Sequence, residues 1–575
     1  MSSKVKWLFS NNNIWRILSS LLLSALLILA LDLIWGVNFA GSDETSMARS
    51  TQNGSSWRYS SNLLRLPLTA LYRVFPNTPW FGVWMVCILC ACMTVFFYCI
   101  LDSAGEKRTF SALATIAALM TIIIPFTTSI SFTVNSALCG VAAIALLLDS
   151  RDRPFRFALS LLFFFMSVLI RLSSAEALLP FFGLTLLYEY HQFKEKKTIF
   201  ALCLATLVLC AAFGIMKLEN STLAKKTTPD NQFRDGDATI NLLLRRFKDY
   251  PHVSYDEDPE LYESVGWNRE LYDLLNSDWY FLDERLTEEA LTVIVEASDP
   301  NRKTEAMFNE ESESTERKSI LPIRSIISII GRRYSVAVLL GFTLFGLAAF
   351  LGVLQRRESI LNIVYLVAIG LFTVGELFYL FYLGRMIMRA FISVTLPSYL
   401  ICICFWFRHE RKRKGLWLSL LLCLFTLLFV PRSIFNAEER QEKEKANLMV
   451  TEAELYCAEH RDGVFIYGGI LSHDSRLNPG SFGMRSNNML FWGGTGFKTA
   501  GWYESFERLG YENFTTENLF DDNVFFLSNI KNLDESVIWK YLCSVENEAS
   551  YQLVTSSPTG LYIYHFSRQD GEPLP

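Results

Sequence analysis

The chain has 575 residues, of which 51% are hydrophobic, 14% are aromatic and only 19% are charged, and its net charge is −5. Soluble domains carry about 25% charged residues. The mean hydropathy of +0.24 and the apolar runs of about 20 residues therefore exclude a soluble globular protein. The negative net charge argues against nucleic acid as a general partner. The histidines and cysteines show no zinc or redox spacing, and we expect Cys457 and Cys543 to be free thiols rather than a disulfide.

The apolar segments predict an α-helical polytopic membrane protein with about eleven transmembrane helices. They lie at about 14–35, 80–101, 110–125, 132–148, 157–170, 177–188, 198–216, 334–354, 360–382, 387–407 and 416–430. Lysines and arginines in alternate connections predict a cytoplasmic N-terminus and an outer C-terminus. We therefore expect a multi-pass protein of the cell membrane, with its large loops and its C-terminus extracytoplasmic.

Polar segments divide the chain into four predicted regions. An N-terminal membrane region, 1–216, contains a first outer loop at 36–79, in which 62–75 has the pattern of an amphipathic helix lying on the outer surface. An outer helical insertion, 217–330, separates it from a second membrane region, 331–431. Residues 432–575 predict an extracytoplasmic α/β domain. Its strand-like runs are Val464–Tyr467, 524–527 and 561–564.

The stretch Gly41-Ser42-Asp43-Glu44 follows the first span directly, so two adjacent carboxylates are expected at the membrane boundary. A carboxylate placed there can take the proton of an acceptor hydroxyl. Neighbours in an extended loop point to opposite sides. One of the two is therefore expected to act, with Asp43 slightly favoured, and the other to support it or hold a cation. The alternative is a solvated exit loop without a chemical role.

Arginines at predicted outer helix ends would supply positive charge to a phosphate group. Arg385 and Arg389 are spaced i, i+4 on one helix face and either bind phosphate or contact lipid headgroups. Arg171 and Glu176 flank a short outer turn, where they pair with each other or take part in donor binding. Glu376 lies inside a predicted span, as the counter-ion of an arginine or as a buried functional acid.

Together these features resemble the GT-C superfamily of polytopic glycosyltransferases, and most of all bacterial members of unassigned substrate. The resemblance rests on Ser42-Asp43-Glu44, the amphipathic loop at 62–75, the turn at 170–177 and Gly384-Arg385. It implies that the first outer loop carries the catalytic acid, at Asp43 or Glu44. It also implies that the late outer arginines, Arg385 and Arg389, contact the lipid phosphate.

The function that follows is transfer of a hexosyl or pentosyl group from a polyprenyl-phosphate-linked sugar to a cell-envelope glycan or lipid. Membrane lipids are the other expected partners, no cofactor is required with certainty, and a divalent cation is left open. One alternative is a transporter or flippase for lipid-linked glycans, which would need a polar path through the bundle that the few mid-membrane charges disfavour. Another is a GT-C-like membrane protein that binds glycan without catalysis.

Overall fold

The computed structural model is mostly helical and places a small sheet near the C-terminus. It describes residues 13–40, 42–53, 57, 60–104, 109–191, 195–226, 237–249, 252–277, 283–298, 346–347, 349–351, 353, 360–382, 388–409, 437–467, 476–477, 488–490, 503, 506–512, 514–546 and 548–568. The chain divides into two compact units. The first comprises Met1–Glu219, Ser319–Ala437 and Arg476–Asn478, and the second Asn220–Lys318, Glu438–Ser475 and Pro479–Pro575.

The first unit is a bundle of mostly apolar helices around one hydrophobic core. Its described helices are α1 (Asn13–Trp35), α2 (Ser42–Asn53), α3 (Asn62–Val74), α4 (Trp80–Ala104), α5 (Thr109–Thr128), α6 (Phe132–Leu147), α7 (Pro154–Ile170), α8 (Leu172–Glu189), α9 (Lys196–Lys226), α14 (Ile360–Tyr382) and α15 (Met388–His409). Two short strands, β1 (Asn38–Phe39) and β2 (Ser129–Ile130), pair in parallel. The helix predicted in the first loop is confirmed as α3, which includes Pro67.

Five segments of the described chain are long and apolar enough to cross a membrane, which supports the predicted membrane location. They are Ile14–Ile34, Trp80–Ala104, Lys196–Glu219, Ile360–Leu380 and Ala390–Arg408. The segments predicted as spans at 110–125, 132–148, 157–170 and 177–188 are also helical, and their crossing stays a prediction. The span predicted at 334–354 is described only in part, and 416–430 lies outside the described residues.

Helix α6 forms the centre of the first unit, because each of its residues is buried. Small residues allow its neighbours to approach closely: a Cβ added to Gly140 would lie 2.4 Å from Leu178 Cδ1 on α8. Ser136 and Ser167 each donate a hydroxyl to the other's backbone carbonyl, at 2.8 and 2.7 Å, and so join α6 to α7. Close packing and polar pairs together fix α6 against α7 and α8.

Several arginine side chains surround the buried carboxylate of Asp102 at one end of the bundle. We call this end the Asp102 end. The carboxylate of Asp102, near the end of α4, accepts from Arg16, Arg153 and Arg156 at 2.9, 2.5 and 3.0 Å. The side chains of Arg156 and Asp102 are only 5% and 8% exposed, so each neutralises charge that would otherwise be buried alone. The carboxylate of Asp149 lies 3.9 Å from Arg408 of α15. Arg16, Arg153, Arg156 and Arg408 therefore lie at one end of the bundle.

The second unit combines the insertion with the C-terminal segment. Its helices are α10 (Asp237–Asp249), α11 (Pro259–Glu263), α12 (Arg269–Asn276), α13 (Glu288–Ala297), α16 (Ala437–Glu459) and α17 (Val537–Val545), with 3₁₀ turns at Glu517–Phe520 and Leu533–Glu535. Its strands are β3 (Val464–Tyr467), β4 (Met489–Leu490), β5 (Val524–Ser528), β6 (Ala549–Ser556) and β7 (Tyr562–Arg568). They form one sheet in the order β4-β3-β5-β7-β6, parallel from β4 to β5 and antiparallel from β5 to β6.

The insertion and the C-terminal segment, which the sequence interpretation treats as separate domains, share one hydrophobic core. Trp267 and Leu271 of the insertion belong to it together with Phe526 of β5. The hydroxyl of Tyr541 on α17 also donates to the carboxylate of Asp283 at 2.7 Å. The three predicted strand runs are confirmed as β3, β5 and β7. Cys457 is buried, Cys543 is exposed, and both are free thiols as expected.

The contact between Gly140 and Leu178 predicts a packing penalty on substitution. We expect Gly140→Ala to be less stable than Gly183→Ala by about 1–3 kcal/mol, because the new methyl group overpacks the α6–α8 contact. A Cβ added to Gly183 meets no described atom within 4 Å. Both changes gain the same helix propensity, so their difference isolates the clash. Thermal unfolding in detergent measures it, and equal stabilities would contradict the packing described for α6.

Candidate functional site

Asp43 and Glu44, which we call the acid pair, lie in the first turn of α2. The expectation of an extended loop is therefore wrong at this point: acidic residues in a first turn interact favourably with the helix dipole, and Ala48 and Met47 follow as good helix formers. Successive helix residues are about 100° apart around the axis. As a result, Asp43 is exposed whereas Glu44 is only 2% exposed.

A short ribbon brings the acid pair to the amino end of α6. After α1 the chain turns at Gly36, which has a φ of +73° that few side chains tolerate. The carboxylate of Asp32 accepts the N–H of Val37 at 3.0 Å, so this acid caps the turn. Strand β1 then pairs with β2, and the N–H of Ala40 donates to the carbonyl of Ile130 at 2.9 Å. The chain enters α2 directly beside the residues that begin α6.

The side chain of Glu44 caps α6. Its Oε1 atom accepts the backbone N–H of Phe132 at 3.3 Å, while the Ser131 hydroxyl accepts the N–H of Thr133 at 3.3 Å. Burial raises the pKa of the Glu44 carboxyl. Hydrogen bonds from Ser131 and from the Phe132 backbone oppose that rise in pKa, and the neighbouring Asp43 carboxylate adds to it. Glu44 therefore has a supporting contact, whereas Asp43 faces solvent.

Arg171 approaches the same helix end from the junction of α7 and α8. Its guanidinium donates to the hydroxyls of Thr133 and Ser173, at 2.5 and 3.2 Å. The guanidinium carbon lies 4.9 Å from the centroid of the Phe132 ring, a cation–π geometry. Phe132 thus contacts Glu44 through its N–H and Arg171 through its ring. The structure brings Glu44 and Arg171, which are distant in sequence, to one helix end.

The remaining predicted site residues lie elsewhere in the fold. Glu176 is exposed on α8, and within the described residues no ion pair joins it to Arg171. Glu376 is half-buried on α14, in a groove lined by Leu371, Phe372, Gly375 and Tyr379. Arg389 is in the first turn of α15, with its side chain outside the described part of the chain, and Arg385 lies outside the described residues altogether. Their meeting with the acid pair stays a prediction.

Sequence reasoning missed the residues that receive Glu44 and Arg171. Ser131, Phe132 and Thr133 are ordinary residues at the start of an apolar segment, and the one available signal was a serine placed to cap a helix. Within the described residues, no cluster of three or more His, Cys, Asp or Glu side chains is arranged to hold a metal ion. A divalent cation at the acid pair stays untested.

The raised pKa of Glu44 predicts a pH-dependent stability. The folded state binds this proton more tightly than the unfolded chain does. The stability contributed by this group is therefore fully present below its ordinary value of 4.5 and is lost as pH rises through the folded pKa. Glutamine keeps an oxygen for the Phe132 N–H and cannot ionise. We expect Glu44→Gln to gain stability over the wild type as pH rises from about 4.5 to about 8.

Thermal unfolding at several pH values in detergent measures this difference. The matched control is Asp152→Asn, which changes an exposed acid at the Asp102 end and should leave the slope of stability with pH as in the wild type, whereas Asp43→Asn should reduce the slope because the Asp43 carboxylate adds to the rise in the Glu44 pKa. A stability difference between Glu44→Gln and wild type that stays constant across this range would contradict a destabilising buried charge at Glu44.

Comparison with known proteins finds no relative of this chain. No protein-family model, no curated protein and no solved structure matches the chain. The interpretation of the site therefore rests on its own residues: an exposed acid, a buried acid that caps a helix, and an arginine at the same helix end.

Proposed function

We propose that the chain is a membrane glycosyltransferase that moves a sugar from a polyprenyl-phosphate donor to a cell-envelope glycan or lipid. One observation carries the proposal: Asp43 is exposed beside the helix end at which Glu44 and Arg171 both make contact. A transfer of this kind needs a base for the acceptor and a cation for the departing phosphate, both close to the lipid boundary.

Each group has a role in the proposed reaction. The Asp43 carboxylate takes the proton of the acceptor hydroxyl, whose oxygen forms a bond to the anomeric carbon of the sugar. The bond between that carbon and the phosphate oxygen breaks, and its electron pair leaves with the phosphate. Arg171 stabilises this negative charge, and the proposal gives Arg385 and Arg389 the same role. Glu44 holds α2 against α6 through its bond to the Phe132 N–H, and it does not itself accept the proton.

The sidedness of the proposal rests on charge. Arg16, Arg153, Arg156 and Arg408 lie at the Asp102 end. Positive residues concentrate on the cytoplasmic side of membrane proteins. The Asp102 end therefore fits the cytoplasmic face, and the acid pair at the opposite end of α6 fits the outer face. A lipid-linked donor would reach Asp43 and Arg171 from the outer leaflet.

Purified full-length protein in nanodiscs tests the proposed base. The wild type is offered a panel of polyprenyl-phosphate-linked hexoses and pentoses with a labelled sugar, and transfer to envelope glycans or lipids is measured. We expect Asp43→Asn to reduce kcat by about 10²–10⁴-fold, the usual contribution of a general base. The control is Asp152→Asn, which changes an exposed acid at the Asp102 end. Full transfer by Asp43→Asn would reject Asp43 as the base.

The phosphate role of Arg171 has its own expected outcome. Arg171→Lys keeps the charge but loses the planar fork that matches two phosphate oxygens. We expect the KM for the donor to rise by about tenfold, a change of about 1.4 kcal/mol in binding, with a smaller effect on the KM for the acceptor.

Wild-type movement of the lipid-linked sugar across vesicles without any acceptor would instead favour a flippase.

A further inference from the structure

Glu219 of α9 binds the first residues of α3. Its Oε1 atom accepts the hydroxyl of Ser61 at 3.0 Å, and its Oε2 atom accepts the backbone N–H of Asn62 at 2.9 Å. The first N–H groups of a helix have no partner within the helix, and the positive end of the helix dipole lies there. The carboxylate of Glu219 therefore caps α3 from a position 158 residues away in the chain.

Hydrogen bonds continue from this cap to α2. The side-chain oxygen of Asn62 accepts the N–H of Trp57 at 3.0 Å. The indole N–H of Trp57, a residue only 2% exposed, donates to the carbonyl of Met47 at 3.2 Å and to the hydroxyl of Thr51 at 3.0 Å. The hydroxyl of Thr69 on α3 donates to the carbonyl of Thr51 at 2.9 Å. Two routes thus connect α3 with the helix that carries Asp43, one from Asn62 at its start and one from Thr69 two turns further on.

The same segment also holds the approach to Arg171. The N–H of Ser61 donates to the carbonyl of Leu169 at 2.8 Å, and the hydroxyl of Ser60 donates to the carbonyl of Ile170 at 2.5 Å. Arg171 is the next residue. The residues before α3 therefore contact both the chain that ends at Arg171 and, through Trp57, the helix of the acid pair.

We propose that Glu219 is a positioning residue that fixes Asp43 relative to Arg171. This inference rests on the proposed transfer reaction for its catalytic consequence, but the structural link does not depend on that reaction. Removal of the carboxylate takes away the cap that holds Ser61 and Asn62, and so loosens the contacts that α2 makes through Asn62 and Trp57. A displacement of about 1 Å at a reacting group can reduce a rate about 100-fold. The donor phosphate site changes less, because Thr133 of α6 also holds Arg171.

Hydrogen exchange and transfer kinetics on the full chain in nanodiscs test the proposal. We expect Glu219→Ala to raise the exchange rate of the α2 amides at 46–53 by about tenfold. The kcat for the donor that the wild type accepts should fall about 10–100-fold, with its KM changed less than about threefold. Glu219→Gln keeps one acceptor oxygen and should lie between. The control is Glu289→Gln, a change of an exposed glutamate on α13.

The outcomes separate the proposals. Unchanged exchange of α2 overturns the positioning role, whatever the kinetics. Faster exchange with an unchanged kcat also overturns it, because Glu219 would then stabilise the loop without placing Asp43. The double variant Glu219→Gln/Ser61→Ala should be no worse than the more affected single variant if both act through one contact. Faster exchange in a protein whose wild type transfers no sugar upholds the link to α2 and rejects the transferase proposal.

Discussion

The amino end of α6 is the constraint on which the arrangement of the site depends. This helix is buried on all sides, so its first N–H groups need acceptors that water does not supply. The hydroxyl of Ser131 provides one acceptor and the carboxylate of Glu44 provides another. Satisfying α6 therefore brings α2 against the bundle. Asp43 is left exposed at this point because its neighbour is used as a cap.

The buried carboxylates at the two ends of the bundle have different partners. Asp102 receives three arginines, so its charge is neutralised within the protein. Glu44 receives hydrogen bonds from uncharged groups, and burial raises its pKa. The first arrangement is a charge network that joins α1, α4 and α7. The second has a cation at the same helix end, because the guanidinium carbon of Arg171 lies 4.9 Å from the centroid of the Phe132 ring.

Apolar runs, the amphipathic pattern of α3 and the β-branched and aromatic runs of β3, β5 and β7 predicted those elements, because each signal is local in the chain. The contacts that shape the site are not local. Glu219 meets Ser61 across 158 residues, and Arg171 meets Thr133 across 38. Polar partners of this kind follow from how helices pack, and sequence spacing carries no trace of them. The sequence predicts an extended loop at the acid pair, because a short polar stretch after an apolar run is typical of a loop.

A helix can place two adjacent acids in different environments on the same side of the chain, which an extended loop cannot do. In a strand, neighbouring side chains point in directions about 180° apart. If one carboxylate contacted α6, the other would therefore point directly away from α6. The 100° step of α2 keeps both on one side of the helix while giving them different environments. A buried carboxylate with its oxygen engaged can cap α6, and an exposed one can meet a hydroxyl. The conformation of this one turn therefore allows consecutive residues to be the cap of α6 and the proposed base.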